Sequence, residues 1–371
     1  MNLALIKIVR CALPLVAAAL FATGCQTYQQ QNKVIVYWNQ GDLTNAVVEA
    51  KKQADHNAND KDAIIWRLED GAVLRAAGLY GDSNQAFDEA QNDSKFQSQI
   101  VGVTSNLDKV NVYADYVNPF TVYLDGLYFL ANAADGSDLE RARKSFERAS
   151  AFAPDNDYVK QDLATATDVA NGKPLTPATY VIFETGCAPE RGQIRIDIPI
   201  IVSKVSYVGA AFPTLKLNGN YTPTLLVTAS GTTANTKPVA SMDGIVALDF
   251  KNDLPVVITK TIASTVTKAV AAYAANQAAQ QSGGDIAGLF MQLGTAVYEA
   301  AVNIADERTW TTLPKEFQVA RIATPADRKL DLATPNGMRA SVTVGDGILN
   351  VVYVKSINTG TPLLVTQFKL K

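Results

Sequence analysis

The sequence predicts an α+β protein of two domains, an all-α helical-repeat array followed by a mainly antiparallel β-sheet domain with an inserted α-helical hairpin. Three observations lead there. Apolar residues recur at helical spacing through residues 33–172. The stretch Asn171-Gly172-Lys173-Pro174-Leu175-Thr176-Pro177 then breaks the pattern, marking a linker at 173–178, because its prolines resist both helix and sheet ladders. Alternation of period two takes over in residues 179–371. The chain of 371 residues, 47% hydrophobic, can bury enough apolar surface to exclude wholesale disorder. Its 33 basic and 36 acidic side chains leave no cation excess to displace counterions, so no nucleic-acid partner is expected.

Residues 1–24 begin with Lys7 and Arg10, run apolar from Cys11 to Phe21, and end on Ala22-Thr23-Gly24 before Cys25. A basic flank, an apolar segment too short to span comfortably and small residues at the cut make a signal peptide. The cysteine directly after Gly24 resembles the bacterial lipoprotein box, with Ala22 standing where leucine is commonest. That resemblance implies a diacylglycerol-bearing Cys25 at the head of the mature chain and residues 25–32 as its tether. Gln26, not aspartate, follows, which by resemblance to Gram-negative sorting implies delivery to the outer membrane, facing the periplasm. The alternative is an ordinary secretory signal with a coincidental cysteine. Acyl chains anchor without a span, each buried methylene contributing about 0.8 kcal/mol. Cys187 is then left alone, and the fold must rest on its core rather than on a disulfide frame.

Within residues 33–172 the clearest unit is Ala142-x-x-x-Phe146-x-x-Ala149-x-x-x-x-Pro154, the spacing of the second helix and stop of a tetratricopeptide-type repeat. Small Ala142 and Ala149 admit a neighbouring helix, Phe146 fills the gap, and Pro154 blocks continuation. Ser137 and Glu140 form a capping-box pattern ahead of it, and Asn118-Pro119 opens the helix through Gly126 and Leu130. A degenerate second unit runs over 66–90 with Gly71, Phe87 and Ala90, and a partial one includes Gly41, Ala46 and Ala50. A last helix, 157–170, caps the array before Asn171-Gly172.

Such stacks present a concave surface to a protein partner, and Tyr113, Tyr116, Phe120 and Tyr123 are spaced to line one. The favoured reading of that spacing is the buried stripe of a packed helix. Arg141, Arg143, Lys144 and Arg148 resemble a basic patch, yet the i,i+4 pairs Glu140–Lys144 and Arg143–Glu147 make a solvated face the default. His56 lies in the polar run 55–60, read as a loop, with no second nitrogen or sulfur ligand at metal spacing.

In the second half, 180–183 is a short strand and 193–201 alternates cleanly, with Ile194, Ile196, Ile198 and Ile200 on one face. Further strands are expected at 205–211, 223–228, 246–250, 317–322, 339–344, 348–357 and 363–368, joined by turns that suit an antiparallel sheet. The inserted hairpin, 254–305, carries one stripe from Leu254 to Tyr273 and another from Ile286 to Ile304, about the turn Ser282-Gly283-Gly284. Lys260, Lys268, Asp285 and Glu299 argue for packing on the sheet over insertion into lipid or a partner, where a buried charge costs several kcal/mol.

The stretch Asp306-Glu307-Arg308-Thr309-Trp310-Thr311-Thr312-Leu313-Pro314, followed by Gln318-Val319-Ala320-Arg321, resembles a signature of an uncharacterised family of proteobacterial envelope lipoproteins. So do Tyr180-x-x-x-Glu184-x-Gly186-x-x-Pro189 and Tyr207-x-x-x-Ala211-Phe212-Pro213. The resemblance covers nearly the whole mature chain. It implies a tetratricopeptide-like first half and an envelope or peptidoglycan context, since such genes often lie beside a lipoprotein activator of penicillin-binding proteins. It carries over no catalytic residue. Asp306, Arg308, Trp310, Leu313, Pro314, Gln318 and Arg321 are read as fold-determining: Leu313-Pro314 ends a helix and launches a strand, and Trp310 buries a large ring at the junction.

No phosphate-cradling loop, zinc spacing or serine elbow is present, and no cofactor or metal is expected. A thiol enzyme would centre on Cys187, near Glu184, Glu190 and Arg191, but the single histidine lies in the other half. The expectation is therefore a non-enzymatic, lipid-anchored periplasmic adaptor that binds an envelope protein through its helices. A glycan-binding module using Tyr180, Tyr207, Tyr221 or Tyr353 is the alternative.

Overall fold

The computed structural model describes residues 26–59, 63–91, 118–202, 205–250, 253–254, 257, 307 and 309–371. The expected hairpin at 254–305 lies almost entirely outside them, as do Cys25, Tyr113, Tyr116, Asp306 and Arg308.

Helices come first: α1 (Gln26–Gln40), α2 (Leu43–His56), α3 (Ala63–Ala76), α4 (Tyr80–Gln91), α5 (Pro119–Asn132), α6 (Gly136–Phe152) and α7 (Asp157–Ala170). Short polar side chains start several of them by accepting orphan amides. Asn118 accepts from the Phe120 N–H at 3.0 Å, and Asn156 from the Tyr158 and Val159 N–H groups. At α6 the cap is Asp135, accepting from Ser137 and Asp138, whereas the sequence pattern placed a capping box at Ser137. A carboxylate one residue outside Gly136 wins because Ser137 already has helical position and its own amide needs an acceptor. His56 is the last residue of α2, not a loop residue.

Two helix pairs repeat one contact. A Cβ on Gly71 of α3 would lie 2.8 Å from the Phe87 ring of α4, and a Cβ on Gly126 of α5 would lie 2.8 Å from the Phe146 ring of α6. Each glycine thus admits an aromatic ring that a side chain would displace.

The strands are β1 (Ala178–Thr185), β2 (Glu190–Val202), β3 (Val205–Lys216), β4 (Leu226–Ala229), β5 (Thr232–Asn235), β6 (Lys237–Ser241), β7 (Glu316–Ala323), β8 (Lys329–Ala333), β9 (Arg339–Thr343), β10 (Leu349–Ser356) and β11 (Leu364–Lys369). They form a five-stranded sheet in the order β11-β10-β1-β7-β6, a four-stranded sheet β5-β4-β8-β9, and the hairpin β2-β3. The five-stranded sheet is mixed, since β1 pairs parallel with β10, register Ala178↔Leu349, and antiparallel with β7. A purely antiparallel sheet was not required, because the long path between β1 and β10 lets the chain return to the same end. Residues 246–250, expected as a strand, are helical. Met242, Ile245 and Val246 recur at helical spacing and pack against the core, and the run that looked extended is one face of a helix.

The chain divides into two compact units, residues 33–189, 217–248 and 310–371 in one, and 1–32, 190–216 and 249–309 in the other. In the first, the five-stranded sheet is a middle layer. Tyr180, Ile182, Phe317, Val319 and Val351 share a core with Phe120, Tyr123, Leu127 and Phe146 of the helices. Val181, Phe183, Ala320, Ile322 and Val352, on the opposite face, meet Leu225, just before β4, and Val227, Leu330 and Leu332 of the four-stranded sheet. Helices and sheet on either side of the 173–178 linker therefore share one interior. In the second unit, β2 and β3 pair from Glu190↔Lys216 to Val202↔Val205, with an irregularity between Pro199 and Val202.

Candidate functional site

On its helix-facing side the five-stranded sheet carries polar residues at positions where a sandwich core would be apolar. β1 supplies Tyr180 and Glu184; the register sets Arg321 of β7 beside Tyr180, and Lys355 of β10 beside Glu184. These groups are met by charges from the helices.

Glu184 is the centre of the first cluster and has no exposed surface. Its Oε2 accepts from the Arg75 guanidinium of α3 at 2.8 Å and from the Tyr353 hydroxyl, and its Oε1 accepts from the Lys355 ammonium. Burial by itself would push the carboxyl up, but Lys355 and Arg75 together hold it below its ordinary value. Lys355 also lies over the Trp38 ring, its Nζ 4.7 Å from the centroid.

The second cluster joins α7 to the sheet. Asp162 accepts from the Tyr123 hydroxyl at 2.8 Å and stands 3.3 Å from the Arg321 Nε. Burial pushes its carboxyl up to about 7, against the pull of Arg321 and Tyr123. The third joins α3 to the approach of β7. Glu69 accepts from the Thr311 amide at 2.7 Å, the Thr311 hydroxyl at 2.5 Å and the Thr312 hydroxyl at 2.7 Å. Trp310 donates its indole N–H to Thr312 at 2.8 Å and sets its ring edge-on to Phe87, 6.4 Å between centroids. Burial raises the Glu69 carboxyl against those hydrogen bonds.

The described residues among 306–321 singled out in the sequence thus have assigned contacts. Arg321 meets Asp162, Trp310 braces Glu69, and Gln318 accepts from Thr236 at 2.6 Å while donating to the Pro223 carbonyl at 2.9 Å. The Leu313 carbonyl accepts from the Ala188 amide at 2.7 Å, and beyond Pro314 the Lys315 amide donates to the Thr185 carbonyl at 3.0 Å. Gly186 has φ +65°, and a Cβ there would lie 2.5 Å from that of Tyr221, so two constraints demand glycine. The helix-side partners Arg75, Asp162 and Glu69 were missed in the sequence. Their only signal was a charge at a helical position that the apolar stripe would otherwise fill.

Of the expected groove residues, Phe120 and Tyr123 are buried: Phe120 stacks on Phe317 at 4.2 Å, and Tyr123 packs edge-on to Phe146. They line no open surface; α5 directs them into the core it shares with the sheet. Tyr180 is likewise buried, Tyr353 is committed to Glu184, and Tyr221 lies under the Lys315 ammonium. Cys187, 4% exposed, packs in a cluster with Val34, Trp38, Trp66 and Ile357. Glu140–Lys144 and Arg143–Glu147 pair at 3.8 and 3.2 Å on an open helix face.

The open surface lies elsewhere. A shallow groove of about 660 Å³ follows α2, lined by Val47, Val48, Lys51, Lys52, Asp55 and His56, with Val48 62% exposed. Among the described residues no three His, Cys, Asp or Glu side chains are arranged to hold a metal ion, and no helix is long and apolar enough to cross a membrane. Chemically, the buried clusters bind the chain to itself, and the α2 groove offers an apolar strip flanked by two lysines. Comparison with known proteins found no matching family model, no matching curated protein and no matching solved structure.

Proposed function

We propose that this chain is an outer-membrane-anchored periplasmic lipoprotein that works as a protein–protein interaction scaffold in cell-envelope or peptidoglycan-related assembly. The observation that carries the reading is the Gly24-Cys25 junction behind a basic, then apolar, leader. Acylation at Cys25 supplies the anchor. The helical half supplies the recruiting surface, read as degenerate tetratricopeptide-type hairpins on the strength of the recurring Gly71–Phe87 and Gly126–Phe146 contacts. The partner-facing element in this reading is α2, whose half-buried Val47 and exposed Val48 lie beside Lys51 and Lys52 and suit an apolar segment bearing acidic residues. The family resemblance supports the envelope context, and the burial of Cys187 favours a structural over a nucleophilic thiol.

Labelling with a fatty-acid analogue tests the anchor. Wild type is expected to take up label and appear in the outer-membrane fraction; Cys25→Ser is expected to accumulate unlabelled with its leader attached. Normal processing of Cys25→Ser would sink the anchor. A photo-crosslinker at Lys52, in the same groove, is expected to capture one envelope protein that is lost when Val48→Asp is added. Capture unchanged by Val48→Asp would remove α2 as the docking element.

A further inference from the structure

The two edges of the five-stranded sheet are built differently. At one edge, β6 contains Pro238 and a register irregularity between Pro238 and Ala240, and Asn156 donates to the carbonyls of Lys237 and Pro238 at 3.1 and 2.9 Å. A proline, a kink and a covering side chain are the devices that stop an edge from recruiting another strand. At the other edge, β11 has none of them. Its residues Leu364-Val365-Thr366-Gln367-Phe368 are uncharged and free of proline, and they pair with β10 in unbroken register. Among the described residues no strand pairs with its outer side. Beside it stand exposed apolar groups: Phe368 (44% exposed) and Tyr80 (38%) meet edge-on at 6.0 Å, Leu79 (44%) adjoins, and the Tyr80 hydroxyl is 2.8 Å from the Thr366 Oγ1.

We propose that β11 pairs antiparallel with β11 of a second copy of this chain, across a twofold axis through Thr366, joining two five-stranded sheets edge to edge. The strand is complementary to itself in that register. A twofold perpendicular to a sheet keeps each side chain on its own face, so facing residues must share a face. Leu364, Thr366 and Phe368 share the helix-side face, being paired with Lys355, Tyr353 and Val351 of β10. Thr366 then faces Thr366, and Leu364 faces Phe368, which are favourable cross-strand pairs. Lys369, the strand's one charge, falls opposite position 363, a leucine, and no like charges meet. The contact buries Phe368, Leu79 and Tyr80 from each copy. An edge of six residues is a small interface, and the dimer it makes is weak, with a Kd of about micromolar order.

The inference is independent of the lipid anchor and is tested on the full-length chain in detergent solution. Facing residues across an antiparallel pair have Cα atoms about 4.5–5.5 Å apart, within disulfide reach. Under mild oxidation Thr366→Cys is expected to form a reducible dimer at least about tenfold faster than Gln367→Cys, whose facing residue is Val365. Sedimentation velocity at about 100 μM is expected to show a dimer for wild type and a monomer for Thr366→Lys, which sets two ammonium groups face to face, with its fold retained by circular dichroism. Equal crosslinking of both cysteine variants, a wild-type chain that stays monomeric, or a Thr366→Lys chain that still dimerises would each overturn the pairing.

Discussion

Burial decides the character of the charged residues in this molecule. Glu184 accepts from three donors and is held ionised by Lys355 and Arg75. Asp162 has one nearby cation, Arg321, and two phenols, Tyr123 and Tyr180, and burial wins, lifting its carboxyl to about 7. That value lies above the ordinary 3.8, so the folded chain keeps a proton that the unfolded chain releases. Its contribution to stability is complete below about pH 4 and is lost as pH climbs through about 7, with a slope of about 1.4 kcal/mol per pH unit for the one proton. Asp162→Asn keeps the shape and has no proton to lose. Urea denaturation near pH 5 and near pH 8 is expected to show the variant gaining relative to wild type as pH rises. Parallel behaviour of the two proteins would mean that Asp162 is already ionised in the folded state at pH 5.

Helix pairs are set by how closely their axes approach. Gly126 costs α5 about 1 kcal/mol of helix propensity against alanine, so propensity alone favours replacing it. Packing reverses that sign, because the Phe146 ring occupies the space a methyl group needs, 2.8 Å away. Gly126→Ala is therefore expected to lower stability by about 1–3 kcal/mol, read as a drop in melting temperature, and Gly126→Ala with Phe146→Leu is expected to recover part of it. A Gly126→Ala chain as stable as wild type would show that the two helices can separate freely. Gly71 with Phe87 follows the same logic, and this recurrence was legible in the sequence, where each glycine precedes an aromatic residue in the following helix. The buried clusters were not legible in that way. Glu184 and Arg75 lie 109 residues apart, and Thr311 and Glu69 are 242 apart, and no local period links such pairs.

At the scale of the whole chain, the helices and the five-stranded sheet behave as one packing unit. Phe120 on Phe317, Tyr123 with Asp162 and Arg321, and Arg75 with Glu184 all join elements from the two sides of residues 173–178. Cutting there would strip the cover from Tyr180, Ile182 and Val319 and leave Glu184 without Arg75. A fragment spanning residues 179–371 is therefore expected to lack dispersed amide resonances on its own and to regain them when the 33–172 fragment is added, since an exposed core face and a buried charge short of a partner are each strongly destabilising. A fragment with a full native spectrum by itself would sink this account.

The sequence by itself determined the local elements: the helix start at Asn118, the stop after Phe152, and most strands. Each depends on residues within a few positions of one another, which is the range over which backbone preference and apolar period act. Tertiary structure alone decided that β1 runs parallel to β10, that residues 246–250 close into a helix, and that Thr311 and Arg321 grip α3 and α7. Those outcomes depend on which surfaces meet. A buried carboxylate such as Glu184 or Glu69 selects its partner by charge and distance in space, and distance in space is what the linear order of residues does not contain.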